Sequence, residues 1–501
     1  MTKPTSPDWV SMVGAAQSTT APAVIAGDQT WSGKELLAQA AGAARWLSAA
    51  GLPTGAPVPA LLEASPEALA LVLAGAATRR PIAPLGPRLT VDELAGCVER
   101  LAAPILVTQP AFADVAAAVA ASLGLKVLTL DELPDPLLES ESLLESGPLP
   151  VPGPTDTAVV LHTSGTTGQP KAVCYRHDRL ARRCRVNATL QQLGPGSVFA
   201  TASPFHHIAG LGNIMVALAA GATSVAVPRF TVAAWRELEP LGVTHALAVP
   251  TMVEMLLRQG ALPLRTLRVM QYGASPIHPD TLRAAMAQLP GAGFLTLYGQ
   301  TEGSPITWLS PEDHRLAAAG WEELLASVGR AAPGVEVRLA DRDGSGAGEV
   351  IARGDHLFAV GPDGWLHTGD LGRIGDDGYL YLVGRRGDMI IRGGENVYPR
   401  EIEEFLYGHP AIEDVQVIGV PDLRYGEEIC AWVKLRPGQA LTEDELREYC
   451  RGQIAHFKVP RYLRITGDFP MTVTGKIQKF KMRETSISEL GLEEAAGTTT
   501  A

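Results

Sequence analysis

The chain has 501 residues, which is too long for one hydrophobic core, so we expect two or more domains. Hydrophobic residues make up 46% and charged residues 19%, a composition typical of soluble globular proteins. The formal net charge of -12 argues against nucleic acid or an anionic membrane surface as a partner, because both require a basic field.

Five scattered cysteines without a CxxC pair predict free thiols in a reducing compartment. The first residues, MTKPTSPDWVSMVG, contain no continuous apolar segment, which argues against a signal peptide. The longest apolar run, ALALVLAGAA, is too short to span a bilayer. We therefore expect a cytoplasmic protein, a monomer or a homodimer, with no integral membrane contact.

Helix and strand patterns alternate over the first two thirds of the chain. A serine at position 32, an apolar spacing and a glycine at position 51 predict an amphipathic helix over residues 33–51. A helix-like segment at 67–77 and a strand at 104–110 follow, and residues 134–157 read as a connection. Short β-rich runs then occur at 157–163, 197–203, 223–228, 244–250, 267–273 and 293–299. Such alternation predicts an α/β fold with layered, parallel sheets.

The pattern changes after about residue 330. Residues 334–354 and 365–385 are strand–turn–strand segments punctuated by Asp-Gly, which predicts a small β subdomain at about 331–385. Beyond Arg385 we expect an α+β unit, with helices at 399–410 and 442–454, strands at 414–420 and 427–435, and a frayed tail at 493–501. The predicted domains are residues 1–386 and residues 387–501.

Residues 161–173, LHTSGTTGQPKAV, follow an apolar strand and carry the groups of a phosphate-binding loop. Hydroxyls, a lysine and two glycines that let backbone N–H groups approach an anion together suit a phosphate. The spacing is not that of a Walker A loop, since Ala172 follows the lysine. From these residues alone, an ordinary polar turn after a strand remains the alternative.

The segment TSGTTGxPK resembles the nucleotide loop of the adenylate-forming superfamily, which contains acyl-CoA synthetases, luciferases and peptide-synthetase adenylation domains. Four further motifs of that superfamily follow in order: YGQTE at 298–302, HTGDLG at 367–372, GRRGDMIIRGGENVYPREIE at 384–403 and PMTVTGKIQK at 470–479. The resemblance runs from about residue 30 to residue 485. It implies a small, mobile C-terminal domain and a two-step reaction, in which a carboxylate attacks MgATP to give acyl-adenylate and a thiol, commonly of coenzyme A, displaces AMP.

The resemblance also implies a role for individual residues. The loop would hold the β- and γ-phosphates of ATP through Thr163, Ser164, Gly165, Thr166, Thr167, Gly168 and Lys171. Glu302 would hold Mg²⁺, and Thr301 would hydrogen-bond the α-phosphate. The adenine would lie beside Gly273, Ala274, Ser275, Tyr298 and Gly299.

Five more residues of the later motifs are given roles by the resemblance. Asp370 and Arg385 would contact the ribose. Lys476 would bridge the carboxylate and α-phosphate oxygens during adenylation, where a fixed cation stabilises developing charge. Gly393 and Gly394 would approach the pantetheine arm of coenzyme A.

Residues 203–213, SPFHHIAGLGN, match the superfamily's acid-pocket segment, with His207 at its usual histidine position and His206 in place of a common aromatic. The segment has no Asp to pair with an α-ammonium group, which argues against an α-amino acid substrate. The small residues Gly210, Gly212, Gly273 and Ala274 either leave room for a bulky or long apolar acid or reflect tight packing.

Residues 384–407 and 469–484 look most like fatty-acyl and related aliphatic acyl-CoA synthetases. The basic run at 176–185 either attracts the phosphates of coenzyme A or is a solvated helix face.

Two positions depart from the superfamily pattern. Ala172 replaces a glycine after the loop lysine, and Gly387 replaces the usual Asp or Lys at the hinge between the domains. Both changes call the efficiency of adenylation into question. The alternatives to an acyl-CoA ligase are an enzyme that only forms thioesters from a supplied acyl-adenylate, an enzyme that loads a carrier protein, and a silent acyl- or nucleotide-binding protein. The presence of Lys476, Glu302 and Asp370 argues against the last.

Overall fold

The computed structural model describes residues 8–133, 149–163, 171–344, 346–471 and 477–498. The chain divides into two compact units. Unit 1 comprises Met1–Val337, Ala352–Leu366 and Asp376–Leu380, and unit 2 comprises Arg338–Ile351, His367–Gly375 and Tyr381–Ala501. The expected domain boundary between residues 386 and 387 stays a prediction.

The described residues form 24 β-strands. In chain order they are β1 (Pro22–Ala26), β2 (Gln29–Ser32), β3 (Val58–Leu61), β4 (Ile82–Leu85), β5 (Ile105–Thr108), β6 (Lys126–Thr129), β7 (Thr157–Thr163), β8 (Lys171–Arg176), β9 (Val198–Thr201), β10 (Thr223–Ala226), β11 (His245–Ala248), β12 (Val269–Tyr272), β13 (Gly293–Gln300), β14 (Gly303–Leu309), β15 (Arg330–Ala331), β16 (Val335–Ala340), β17 (Gly348–Gly354), β18 (Leu366–Ile374), β19 (Leu380–Arg385), β20 (Ile390–Arg392), β21 (Glu395–Val397), β22 (Ile412–Asp422), β23 (Gly426–Leu435) and β24 (Tyr462–Ile465).

The same residues form 15 α-helices. They are α1 (Trp9–Gln17), α2 (Gly33–Ala49), α3 (Pro66–Ala77), α4 (Val91–Leu101), α5 (Ala113–Leu123), α6 (His177–Gln191), α7 (Asn213–Ala219), α8 (Val232–Arg236), α9 (Pro250–Arg258), α10 (Pro279–Gln288), α11 (Pro311–Ala318), α12 (Pro399–Tyr407), α13 (Glu443–Cys450), α14 (Lys479–Leu490) and α15 (Glu493–Thr498). Within the described ranges, no helix is both long enough and apolar enough to cross a membrane.

Unit 1 contains a nine-stranded sheet in the order β15-β14-β13-β12-β11-β9-β10-β1-β2. Its central strands, from β1 through β13, are parallel, and antiparallel strands close both edges. Strands β11 and β12 are buried at every position, which is typical of parallel strands covered on both faces. The predicted α/β class with parallel sheet is therefore confirmed, including five of the six β-rich runs.

The sixth run, residues 157–163, belongs to a six-stranded sheet in the order β6-β5-β3-β4-β7-β8. Only β8 runs antiparallel to its neighbour in that sheet. Helix α3 is buried along its length in the unit 1 core, which explains its apolar sequence. The hydrophobic run that was too short for a membrane span is thus a core helix.

A four-stranded sheet has the order β16-β17-β18-β19, which confirms the strand–turn–strand segments predicted between residues 334 and 385. Of the predicted connection at 134–157, residues 134–148 lie outside the described residues. Residues 149–156 form no helix or strand.

In unit 2, β22 and β23 form a long antiparallel pair in a sheet with the order β21-β20-β23-β22, and β24 is parallel to β23. The predicted helices and strands between residues 399 and 454 are confirmed. The predicted fraying of the tail is wrong for Glu493–Thr498, which is helical and lies against β22 with Ala495 buried. A tertiary contact therefore orders a segment whose composition alone favours disorder.

Candidate active site

The phosphate-loop candidate connects β7 to β8. Thr163 and Lys171 are paired across this antiparallel ladder, and Lys171 is exposed. The residues between them, Ser164, Gly165, Thr166, Thr167 and Gly168, lie outside the described residues, so their roles stay predictions. Ala172 is a regular strand residue opposite His162 and does not have a positive φ angle. Its methyl group therefore does not force a backbone conformation that only glycine adopts readily.

The YGQTE motif forms the end of β13 and the turn into β14. Gly299 lies where the strand register shifts between Tyr298 and Gln300, and a Cβ atom there would lie 2.7 Å from the Gly303 carbonyl oxygen. Only glycine fits such a close backbone approach at a bulge. Beyond the bulge, the turn presents Thr301 and Glu302, both partly exposed.

The Glu302 turn is held from a second segment of unit 1. The backbone N–H groups of Phe358 and Ala359 both donate to the Glu302 carbonyl oxygen, at 2.9 and 3.0 Å. In the described part of the chain, no donor or cation pairs with the Glu302 carboxylate. The backbone of the turn is thus fixed at Glu302.

The adenine-segment candidate follows β12 and begins with unusual backbone angles. Gly273 has φ 151° and Ala274 has φ 70°, a left-handed conformation that costs energy for a residue with a side chain. Ser275 is exposed. Strain of this kind persists where the surrounding structure enforces it, and it is common at ligand sites.

The end of β12 is fixed by a histidine that the sequence did not single out. The Tyr272 hydroxyl donates to Nε2 of His314 at 2.8 Å, and Nδ1 of His314 donates to the Ser310 carbonyl oxygen at 2.7 Å. A carbonyl oxygen only accepts, so the neutral ring must carry its proton on Nδ1. His314 is 1% exposed, and burial lowers its pKa to about 4.

This histidine predicts acid lability of unit 1. The folded His314 stays neutral while the unfolded chain takes up a proton near pH 6.5, so stability falls as the pH drops from 6.5 toward 4, by at most about 1.4 kcal/mol per pH unit. We expect His314→Gln to be less stable at pH 7.5 but to have a shallower pH dependence. Urea unfolding between pH 7.5 and pH 5 measures the free energy of unfolding of the wild type and of the variant. If that free energy changed equally with pH in both proteins, His314 would not be the group responsible.

The acid-pocket segment places His207 immediately before a π-helical turn, Ile208–Gly212. The rings of His206 and His207 are 4.3 Å apart. Burial, with Arg88 and His162, lowers the pKa of His206 to about 4, and burial with Arg100 lowers that of His162 to about 4. Both imidazoles are therefore neutral at physiological pH.

Close packing surrounds the glycines of this segment. A Cβ at Gly210 would lie 2.2 Å from the Pro204 carbonyl oxygen, and one at Gly212 would lie 2.5 Å from Ile208 Cδ1. Of the two readings of these glycines, tight packing is correct at Gly210, where backbone atoms approach, whereas the nearest atom to Gly212 is the end of a side chain that can move. These glycines do not by themselves indicate room for a bulky acid.

The arginines of the basic run at 176–185 have two different environments, one at the surface and one in the core. Arg176, Arg179 and Arg182 line a surface groove of about 710 Å³, in which Arg176 and Arg182 pair with Asp178 and Asp355. Arg183, in contrast, is 1% exposed and donates to the Gly212 carbonyl oxygen at 2.8 Å. The solvated-face reading is therefore wrong for Arg183, which supports the π-helical turn from within the core.

In unit 2, the two candidate ribose contacts meet directly. Arg385 Nε donates to Asp370 Oδ1 at 3.1 Å, with the Asp370 side chain 12% and the Arg385 side chain 54% exposed. The Asp370 backbone N–H donates to Oγ1 of Thr368, whose hydroxyl donates to the Val350 carbonyl oxygen. The carboxylate is thus fixed within a strand, and the guanidinium beside it remains accessible.

Two further candidates of unit 2, Gly393 and Gly394, are glycines for a conformational reason. Gly393 and Gly394 have φ angles of 60° and 90°. The Gly393 N–H donates to the Tyr425 carbonyl oxygen at 2.8 Å, and a Cβ at Gly393 would lie 3.2 Å from the Tyr425 ring. The backbone is therefore bare here, as close approach of a ligand requires.

The hinge candidate Gly387 lies in a 3₁₀ turn, Arg386–Asp388, without a positive φ angle and with open space around a would-be Cβ. Its neighbour Arg386 contacts Glu349 at 3.0 Å and Asp341 at 3.7 Å. Glu349 also accepts from the Gly369 N–H, at 3.1 Å. This buried carboxylate was missed because it is far from every motif in sequence. Lys476 lies outside the described residues, so its role stays a prediction.

Comparison with known proteins agrees with this geometry. The family model described as AMP-binding enzyme matches residues 13–360, and that of the AMP-binding enzyme C-terminal domain matches residues 401–476. The chain belongs to the AMP-binding enzyme family. The resemblance read from the five motifs is therefore confirmed.

Two relatives in this enzyme family are named as acyl-CoA-forming proteins. The putative acyl-CoA synthetase YngI of Bacillus subtilis (strain 168) is 38% identical over 359 residues, 67% of this chain and 64% of the relative. The mitochondrial medium-chain acyl-CoA ligase ACSF2 of Bos taurus is 34% identical over 367 residues, 67% of this chain and 58% of the relative. The chain thus spans about three fifths of the length of these relatives.

A solved structure shares almost the whole fold. The amide bond synthetase McbA from Marinactinospora thermotolerans matches with a TM-score of 0.85 and 30% identity, over 95% of this chain and 99% of that chain. The likeness extends through both family segments.

Proposed function

We propose that this chain is an acyl-CoA ligase that activates an aliphatic carboxylic acid with ATP and transfers the acyl group to coenzyme A. The observation that carries the proposal is the Asp370–Arg385 pair, because a fixed, mostly buried carboxylate and an accessible cation from two different superfamily motifs meet there, which supports a ribose contact. The acyl-CoA synthetase relatives support the choice of reaction. A cytoplasmic location and a monomeric or homodimeric state are part of the same proposal.

In the first step, an oxygen of the carboxylate attacks the α-phosphorus of ATP, and the bond to the bridging oxygen breaks, releasing pyrophosphate. Lys171 and the phosphate loop would neutralise the leaving group, and Lys476 would neutralise the attacked phosphate. In the second step, the thiol sulfur attacks the acyl carbonyl carbon, the thiol proton is released, and AMP leaves. Such chemistry depends on positioning and charge neutralisation more than on a covalent role for the protein.

The residues at the turn fit a magnesium ion that is held mainly by phosphates. The described residues contain no group of three or more His, Cys, Asp or Glu side chains arranged to hold a metal. Mg²⁺ is commonly bound by one or two carboxylates together with substrate phosphates and water. The Glu302 carboxylate, which pairs with no donor among the described residues, would supply one such ligand, and the bound ion would neutralise phosphate charge.

The pocket segment argues against an α-amino acid as the substrate, because it offers an α-ammonium group no counter-charge. Residues 203–213 contain no Asp or Glu, and the nearby His162 and His206 are neutral. Burying an ammonium group without a counter-charge is costly. The medium-chain name of one relative favours the same class of acid.

Three assays test the proposal. Acid-dependent exchange of labelled pyrophosphate into ATP measures adenylation, over a panel from acetate to palmitate with leucine as the amino-acid control. Mass spectrometry then detects the acyl product with coenzyme A, a phosphopantetheinyl carrier protein or a primary amine as acceptor. Consumption of synthetic acyl-adenylates measures transfer alone.

Each outcome has one meaning. Exchange together with acyl-CoA formation supports the ligase. Transfer without exchange indicates an enzyme that catalyses only the thioester step. A carrier-bound product or an amide product would show that the acceptor is a carrier protein or an amine instead of coenzyme A. Neither activity with any acid, or exchange only with leucine, overturns the proposal.

We further propose that the two steps use two orientations of the C-terminal domain, with the hinge at Gly387. A lysine at 387 meets no steric or φ penalty in the observed conformation, and Arg386 already holds Glu349 and Asp341. We therefore expect Gly387→Lys to change both half-reaction rates by less than about threefold. Arg386→Ala serves as the comparison and should change the ratio of the two rates. A Gly387→Lys variant that loses one half-reaction only would show that the bare hinge is required.

A further inference from the structure

Tyr175 is a buried tyrosine that the sequence analysis did not single out. It lies on β8, four residues after Lys171, and is 0% exposed. Its hydroxyl donates to the Thr301 carbonyl oxygen at 2.5 Å, across 126 residues of sequence. This hydrogen bond joins the strand that leaves the phosphate loop to the turn that carries Thr301 and Glu302.

The same turn is fixed on its other side. The Glu302 carbonyl oxygen accepts from the Phe358 and Ala359 N–H groups, and the Phe358 ring packs edge-on against the Tyr175 ring with centroids 3.8 Å apart. The carbonyl groups that precede and follow the Glu302 Cα are thus both held. Because the backbone on both sides is held, the direction in which the Glu302 side chain leaves the turn is set.

The hydroxyl of Tyr175 is a donor under all relevant conditions. Burial raises its pKa well above the usual value, and this outweighs the opposing effect of the nearby Arg183 cation. A buried tyrosine O–H needs an acceptor, and the Thr301 carbonyl oxygen is the one it has. The contact therefore does not switch with pH.

The geometry points to Tyr175 as a positioning residue that holds the turn of Thr301 and Glu302 at a fixed distance from β8, the strand that begins at Lys171. This inference rests on the proposed function, in which the loop holds the phosphates and Glu302 holds the ion. Pre-set spacing of this kind matters because a misplacement of about 1 Å can cost about 100-fold in rate. Tyr175 touches neither substrate nor metal and acts through the backbone of the turn.

The test is Tyr175→Phe, which keeps the ring and its packing against Phe358 and removes only the hydroxyl. We expect the Mg²⁺ concentration for half-maximal pyrophosphate exchange to rise and the exchange kcat to fall, each by about fivefold to tenfold, as the loss of one buried hydrogen bond implies. Transfer from synthetic acyl-adenylate to coenzyme A, which does not use the ion, should change by less than about twofold.

Tyr379→Phe is the matched control. Tyr379 is also buried in unit 1, and its hydroxyl also donates at 2.5 Å, to Asp313 Oδ1, outside the candidate active site. We expect it to lower the Tm as much as Tyr175→Phe does and to leave the Mg²⁺ dependence unchanged. If both variants show the same Mg²⁺ dependence, or if Tyr175→Phe slows exchange and transfer equally, Tyr175 is only a structural residue and the inference is overturned.

A binding measurement separates this result from a failure of the proposed function. For the wild type and both variants, the rise in Tm that ATP causes is measured as a function of Mg²⁺ concentration. This measurement reports binding and does not require catalytic turnover. A wild type without any exchange or transfer overturns the ligase proposal. If the Mg²⁺ concentration that gives half of this rise in Tm is higher only in Tyr175→Phe, the positioning role is still supported. If that concentration is the same in Tyr175→Phe as in the wild type, the positioning role is overturned.

Discussion

Replacement of Glu302 by Gln is expected to lower the rate of pyrophosphate exchange by about 100-fold or more at a fixed Mg²⁺ concentration. Gln keeps the shape of the side chain and removes the negative charge that a hard cation prefers as a ligand. The backbone of the turn should not change, because the Tyr175, Phe358 and Ala359 contacts all involve main-chain carbonyl oxygens. The loss should therefore be chemical and should not arise from unfolding.

The rate of pyrophosphate exchange, measured over a range of Mg²⁺ and Mn²⁺ concentrations, tests this prediction. Glu312→Gln is a suitable control, since Glu312 lies in unit 1 on the first turn of α11 and pairs with the exposed Arg315. We expect the control to retain wild-type exchange and the same Tm within about 2 °C. Wild-type Mg²⁺ dependence in Glu302→Gln would remove Glu302 from the metal site.

Replacement of Lys476 by Ala should separate the two steps of the reaction. This lysine lies in the TGK sequence of the last superfamily motif, and its side chain would neutralise charge that develops as the carboxylate attacks ATP. Loss of one such preorganised charge costs about 100- to 1000-fold in rate. Transfer from a supplied acyl-adenylate requires no attack on phosphorus, so we expect it to change by less than about threefold.

Single-turnover exchange and transfer assays on the same preparation test this separation. Lys481→Ala, an exposed lysine on α14, is the matched control and should leave both half-reactions unchanged. Equal loss of both half-reactions in Lys476→Ala would mean that the lysine supports folding or general binding, and the proposed adenylation role would then be rejected.

The sequence alone determined the elements and the family. Strands such as β11 and β12 lie in short β-rich runs, and helices such as α2 begin with a serine cap and carry a regular apolar spacing, so their existence follows from local patterns. The five motifs are contiguous in sequence, and each carries its own turn chemistry. Asp370 and Gly299 could therefore be proposed as site residues without knowledge of what surrounds them.

Only the tertiary structure decided which residues support those motifs and what the small residues mean. Tyr175 meets Thr301, Tyr272 meets His314, and Arg386 meets Glu349 across 126, 42 and 37 residues. No local pattern encodes such distant pairings. The burial of Arg183 and the close approach of backbone to Gly210 are likewise visible only in the tertiary structure. The same is true of the ordinary strand conformation of Ala172. A side-chain pattern reports the period and polarity of an element, whereas close approach between elements is set by how the sheets and helices pack.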